Sequence, residues 1–177
     1  STRDWSSDVC SSDLGIKVLY LNIGQPDIET PSSIMDAVKN AQIPILAYSH
    51  SAGNISYRKK LTGYYKKLDI ALTSDQIIVT SGGSEAIVFA LMSCMDVGDE
   101  IIIPEPFYAN YNGFAVMAGV KIVTVTSSIE DGFALPPIDA IEKAITTKTR
   151  AILICNPNNP TGYLYSKEEM QQLEAIC

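Results

Sequence analysis

From Ser74 onward, apolar and polar positions follow a regular rhythm. Short runs rich in Ile and Val read as strands: IIVT at 77–80, EIIIP at 100–104, VKIVTV at 120–125 and RAILIC at 150–155. Apolar residues at helical spacing fill SEAIVFALMSCM and YANYNGFAVMAG between the first three. The turn DGFALPP and the helix IDAIEKAI separate the last two. Runs apolar on both faces, alternating with helices, predict a mainly parallel sheet with helices on both faces, an α/β fold. Upstream, TPSSIMDAVKNA predicts a short helix with Pro31 near its start and Ser or Thr to cap it. YSHSAGNISYRKKLTGYYKKL begins as a glycine-bearing loop and becomes a helix whose cationic face meets solvent, with Arg58 in a local ion pair. SKEEMQQLEAIC opens a last helix, Ser166 as N-cap and acids in its first turn. No glycine stop follows, so the chain is expected to be cut within that helix.

Composition narrows the function classes. The 177 residues are 46% hydrophobic and 19% charged, ordinary for a globular protein. A net charge of −7 and a pI near 4.6 argue against nucleic acid and anionic membrane as partners. No apolar run approaches the roughly 20 residues of a spanning helix, and no basic-then-apolar leader opens the chain. A cytoplasmic protein is expected. The four cysteines, Cys10, Cys94, Cys155 and Cys177, lack CxxC spacing, which predicts reduced, buried thiols and neither disulfides nor a metal site. DWSSDVCSSDL, Asp4 to Leu14, resembles one reading frame of a sequencing adapter. Residues 1–14 are therefore expected to be a non-biological leader.

In a parallel sheet, ligands gather at the carboxyl ends of the strands, so the residues after each run carry the chemistry. TSGGSEA, Thr80 to Ala86, offers two glycines for close backbone approach and the hydroxyl of Ser84 at a helix N-terminus. Free N–H groups and the positive dipole end make such a place suit an anion, phosphate above all. The segment lacks both GxGxxG and GxxxxGK[ST], so dinucleotide and P-loop readings lose support. PEPFYANY places prolines and aromatics at the next exit, where Phe107, Tyr108 or Tyr111 could present a flat face to a planar ligand or simply pack beneath a helix. TSSIEDG reads as an ordinary polar turn. The fourth exit, NPNNPTG, Asn156 to Gly162, restricts its own backbone through two prolines and fixes the direction of the last Asn amide.

Those three loops resemble the class I/II aminotransferases, the fold-type-I enzymes that use pyridoxal 5′-phosphate (PLP). LNIGQPDIETP resembles the family's Gly-x-Pro-Asp substrate loop, and YSHSAGNISYRKKL its Tyr-x-x-x-x-Gly…Arg segment. The resemblance runs over about residues 15 to 177 with the motifs in order. It implies an incomplete large domain of the fold-type-I transferase fold over 46–177, after an N-terminal arm or small-domain segment at 15–45. It also implies that Gly82, Gly83 and Ser84 hold the cofactor phosphate. Tyr108 would stack on the pyridine ring with Phe107 behind it, and Asn159 would donate to the ring's phenolic oxygen. Gly24 would bring a backbone N–H to the substrate carboxylate. Tyr48 would reach the phosphate of the neighbouring subunit, because family sites lie at a homodimer interface. His50, the single histidine, is expected as a surface or hinge residue, and Glu85 as structural.

The family's Schiff-base lysine, the Asp that pairs with the pyridine nitrogen and the main carboxylate-binding Arg all lie beyond Cys177. No lysine here sits in a matching motif, so no catalytic residue is assigned and this stretch of chain alone is expected to be inactive. The implied parent reaction is transamination between an amino acid and a 2-oxo acid. A PLP-dependent carbon–sulfur lyase shares every motif quoted. An aminotransferase-like regulator domain would need a basic helix-turn-helix upstream, against the acidic balance seen.

Overall fold

Three successive isoleucines, Ile101, Ile102 and Ile103, are almost wholly buried and organise the larger unit of the fold. The computed structural model describes Pro26 and residues 28–177, which divide between Tyr48 and Ser49 into two units. The expected extended segment at IKVLYLNIGQPD, the assignment of Gly24 and the leader with Cys10 lie outside the described residues.

In the smaller unit, α1 spans Ser32–Lys39. Pro31 occupies its N-cap position, so the expected Ser or Thr side-chain cap does not form. Ile34 and Val38, one turn apart, are both exposed.

The larger unit begins with α2 (Ile55–Lys66), a 3-10 turn (Ser74–Gln76) and α3 (Gly83–Cys94). There follow β1 (Glu100–Glu105), α4 (Asn110–Ala118), β2 (Lys121–Thr126), α5 (Ile138–Ala144), β3 (Thr149–Ile152) and α6 (Lys167–Ile176). The strands form a parallel sheet in the order β2-β1-β3, with Ile102 opposite Val123 on one side and Ile152 on the other. Side chains alternate along a strand, so β1 sends Ile101 and Ile103 to one face and Ile102 to the other. Ile101 and Ile103 pack with Leu91 and Met95 at the end of α3 and with Tyr111 and Ala115 of α4. Ile102 packs with Ile141 of α5 and Leu173 of α6. Helices therefore cover both faces, as the doubly apolar run at 100–104 predicts.

Two expectations need correction. Ile77–Thr80 keeps the alternation of a strand, with Ile77 buried, Ile78 exposed and Val79 half-buried, but forms no ladder among the described residues. The Val79 N–H donates instead to the Ala52 carbonyl at 3.0 Å. One face of this run is wet, so it lacks the two-sided burial that its Ile and Val content suggests. Arg58, expected on the solvent face of α2, is only 6% exposed. Its Nε donates to the Gly53 carbonyl at 3.2 Å and its Nη1 to the Ser74 carbonyl at 2.8 Å. Exposed Asp75 lies 3.8 Å away. The guanidinium is thus a three-way tie between α2, the loop before it and the 3-10 turn.

Candidate functional site

Because the strands are parallel, the exits of β1, β2 and β3 share one edge of the sheet. The segment entering α3 carries Gly82 with φ 142° and ψ 176°, a backbone region open almost only to glycine. Thr80 Oγ1 donates to the Gly82 carbonyl at 2.8 Å, and the Ser81 N–H donates to Glu85 Oε2 at 2.6 Å. Glu85 therefore orders the loop, as expected of a structural residue. No side chain caps α3, so the amides of Gly83 and Ser84 keep the free donors that begin any helix. A Cβ placed on Gly82 or Gly83 would meet nothing within 4 Å, and both glycines and Ser84 are exposed. Open space, two amides and a dipole end are the makings of an oxyanion cradle.

Beside this loop is a hollow of about 440 Å³ lined by Ser81, Glu85 and Phe89 together with His50, Gly53 and Asn54. His50 Nδ1 accepts the Ala52 N–H at 3.1 Å, and the His50 carbonyl accepts the Gly53 N–H at 2.7 Å. The histidine is exposed and shapes a turn. Gly53 has φ 91°, and a Cβ there would lie 2.5 Å from Val79 Cβ. Only glycine lets this loop lie against the segment that leads into α3.

At the β1 exit the aromatics group differently from expectation. Phe107 stacks on Tyr111, centroids 6.1 Å apart at 22°, and Tyr108 meets Tyr111 edge-on at 5.5 Å. Tyr111, not Tyr108, is thus the ring that Phe107 backs. Tyr111 is buried, and burial, helped by the neighbouring Cys155 thiol, pushes its phenol up to about 12. Tyr108 is half-buried, and its Oη accepts from Asn110 Nδ2 at 2.6 Å. Phe107 and Tyr108 pack on the same cluster as Ile87 of α3, which brings the β1 exit to the flank of the helix that starts at Gly83.

The β3 exit is a closed turn. The Gly162 N–H donates to the Asn158 carbonyl and the Asn158 N–H to the Tyr163 carbonyl, each at 2.8 Å. Asn158 Nδ2 donates to Thr161 Oγ1 at 2.9 Å and crosses to the Pro106 carbonyl at 3.0 Å. That last bond joins the β1 and β3 exits. Asn156 Oδ1 accepts the Tyr165 N–H at 3.0 Å. Of the three asparagines, Asn156 and Asn158 serve the turn, while Asn159 is exposed and its amide makes no hydrogen bond among the described residues. Sequence reasoning singled out Asn159 and missed the work of Asn158, for which the string of like residues holds no separate signal.

Other assignments stand apart. Tyr48 belongs to the smaller unit and is fully exposed there. The cysteine expectation is half corrected: Cys94, Cys155 and Cys177 are free thiols, but Cys94 and Cys177 are exposed and Cys155 is half-buried. Cys94 is the last residue of α3, which places it at a helix end and not in the core.

Uncapped amides at the start of α3, an aromatic β1 exit and a free Asn159 amide are the donors and ring faces these segments offer. The sequence profile described as aminotransferase class I and II matches residues 16–177. The chain belongs to this family. Among aminotransferases, it is 36% identical over 159 residues to the putative aminotransferase YugH of Bacillus subtilis, covering 88% of this chain and 41% of that protein. It is 34% identical over 164 residues to the aspartate/prephenate aminotransferase of Nitrosomonas europaea, covering 92% and 41%. A solved structure of a Thermus thermophilus aspartate aminotransferase double mutant superposes with a TM-score of 0.83 at 31% identity, covering 94% of this chain and 44% of that one. The fold is that of the fold-type-I aminotransferases. The chain spans about 41% of the length of the curated relatives it matches.

Proposed function

We propose that the full-length protein is a PLP-dependent aminotransferase and that residues 80–162 form the phosphate- and ring-binding part of its site. The observation that carries this reading is the junction at the sheet edge. The β1 and β3 exits are tied by Asn158, α3 opens with two uncapped amides, and Asn159, next in the chain to Asn158, keeps a free amide. When bound, PLP supplies the electron sink that lets an amino group move between an amino acid and a 2-oxo acid.

The chain's own residues do the holding. Gly83 and Ser84 donate backbone N–H groups to the phosphate, where the dipole of α3 adds favourable charge. Tyr108 offers a ring face, and its packing on Tyr111 limits how far that face swings. Asn159 donates to the ring hydroxyl and stabilises its ionised form. In the same reading Tyr48 serves the phosphate site of a second copy in a homodimer, and Gly24 the substrate carboxylate.

The test uses the full-length protein. Added PLP is expected to give an absorbance band near the visible edge that shifts when aspartate, glutamate or alanine is supplied. A protein that gives no band, or a band that no amino acid moves, contradicts the aminotransferase reading.

A further inference from the structure

Glu169 stands at the third position of α6, where a capping box needs a carboxylate. Its Oε2 accepts the Ser166 N–H at 2.7 Å, and its own N–H donates to Ser166 Oγ at 3.1 Å. Capping requires no more than this. The same carboxylate nonetheless collects two further donors. The Leu135 N–H, in the loop before α5, reaches Oε1 at 2.9 Å, and Tyr163 Oη reaches Oε1 at 3.1 Å and Oε2 at 3.3 Å.

Tyr163 leads into the turn described above. Its carbonyl accepts the Asn158 N–H, its N–H donates to Thr161 Oγ1 at 3.2 Å, and Asn158 then reaches the Pro106 carbonyl. A continuous path thus runs from Glu169 through Tyr163 to Asn158 and the β1 exit, with Asn159 held between the bonded residues 158 and 162.

We propose that Glu169 is a positioning residue: through the Tyr163 phenol it holds the Asn156–Gly162 turn in the geometry that aims the Asn159 amide at the ring hydroxyl. This rests on the PLP reading above and extends it to a residue outside the binding loops. An ionised acceptor suits the task, because hydrogen bonds to a carboxylate are shorter and stronger than neutral ones. Burial pushes the Glu169 carboxyl up. The N–H donors of Ser166 and Leu135 and the hydroxyls of Ser166 and Tyr163 outweigh it and keep the carboxyl below its ordinary range.

Tyr163→Phe separates capping from positioning, since it deletes only the phenol donor and leaves the Ser166–Glu169 box intact. Amide hydrogen exchange of the full-length protein is the first readout. In Tyr163→Phe, the Asn158 and Gly162 amides should exchange about tenfold faster, the worth of one hydrogen bond to a charged group. The amides of α6 should keep their rates. Unchanged rates at Asn158 and Gly162, or an equal rise throughout α6, overturn the proposal. Glu169→Gln, which can still cap, should loosen the same two amides, and a wild-type rate there also counts against it.

The second readout is the pH midpoint of the cofactor band in the full-length protein. A misaimed Asn159 stabilises the ionised ring hydroxyl less, so the midpoint should rise in both variants. A wild-type midpoint beside faster exchange means that Glu169 holds the turn without aiming the amide, which overturns the positioning role. A wild-type protein with no cofactor band overturns the PLP reading and with it the destination of the amide. The exchange experiment alone then decides whether Glu169 holds the turn.

Discussion

Asn158 and Asn159 are chemically identical neighbours with opposite duties. Asn158 spends its amide on Thr161 and Pro106, whereas Asn159 spends none among the described residues. Asn158→Ala removes both bonds and leaves a part-buried carbonyl unsatisfied, so it should destabilise the fold by about 1–3 kcal/mol in urea titration. Asn159→Ala should stay within about 0.5 kcal/mol of wild type, as an exposed substitution does, yet weaken the cofactor band of the full-length protein. Equal stability losses in the two variants would contradict this division. Gly53 makes a different residue-scale case. Its positive φ and the 2.5 Å approach to Val79 Cβ oppose any side chain. Gly53→Ala should cost roughly 2 kcal/mol or more, read as a lower urea midpoint.

At the scale of elements, the sequence shows most clearly where burial and pattern agree. EIIIP becomes the central strand, and its two faces meet α3 and α4 on one side and α5 and α6 on the other. Ser166 caps α6 as its sequence position suggests, although the reach of Glu169 beyond the cap needs the third dimension. IIVT at 77–80 has strand composition, but a ladder needs a neighbour, and periodicity within one segment says nothing about that. Arg58 was misread for a related reason: a cationic helix face looks solvated until carbonyls from distant turns arrive to receive it. The candidate loop residues stand out in the sequence because their glycines, prolines and amides follow Ile- and Val-rich runs. Aromatic pairing was not, since Phe107 could back either tyrosine until α4 was placed.

The start of the sheet carries a pH-dependent contribution of its own. Glu100, largely buried, accepts from Thr146 Oγ1 at 2.6 Å and from Lys121 Nζ at 3.2 Å. The Thr146 hydroxyl, then Lys121, hold its carboxyl below the ordinary range. A carboxyl lowered in the folded state contributes stability above its unfolded pKa. That contribution is lost as pH falls through the folded value. Urea midpoints measured from about pH 6 down to about pH 3 should fall for wild type and fall less for Glu100→Gln. Parallel curves would remove Glu100 from this role.

For the whole molecule, residues 49–177 form a two-faced α/β unit, and the chain belongs to the aminotransferase class I and II family and spans about 41% of the length of the relatives it matches. No helix among the described residues is long and apolar enough to cross a membrane. In the proposed site, the parallel strands bring the β1 and β3 exits to one edge of the sheet, and these exits together with the start of α3 would hold a flat phosphorylated ring. A crystal structure of the full-length protein with PLP tests this most directly. The account predicts phosphate oxygens within hydrogen-bond distance of the Gly83 and Ser84 amides, the Tyr108 ring against the pyridine face, and Asn159 Nδ2 on the ring oxygen. A phosphate lodged away from the start of α3, or an Asn159 amide turned from the ring, would contradict it.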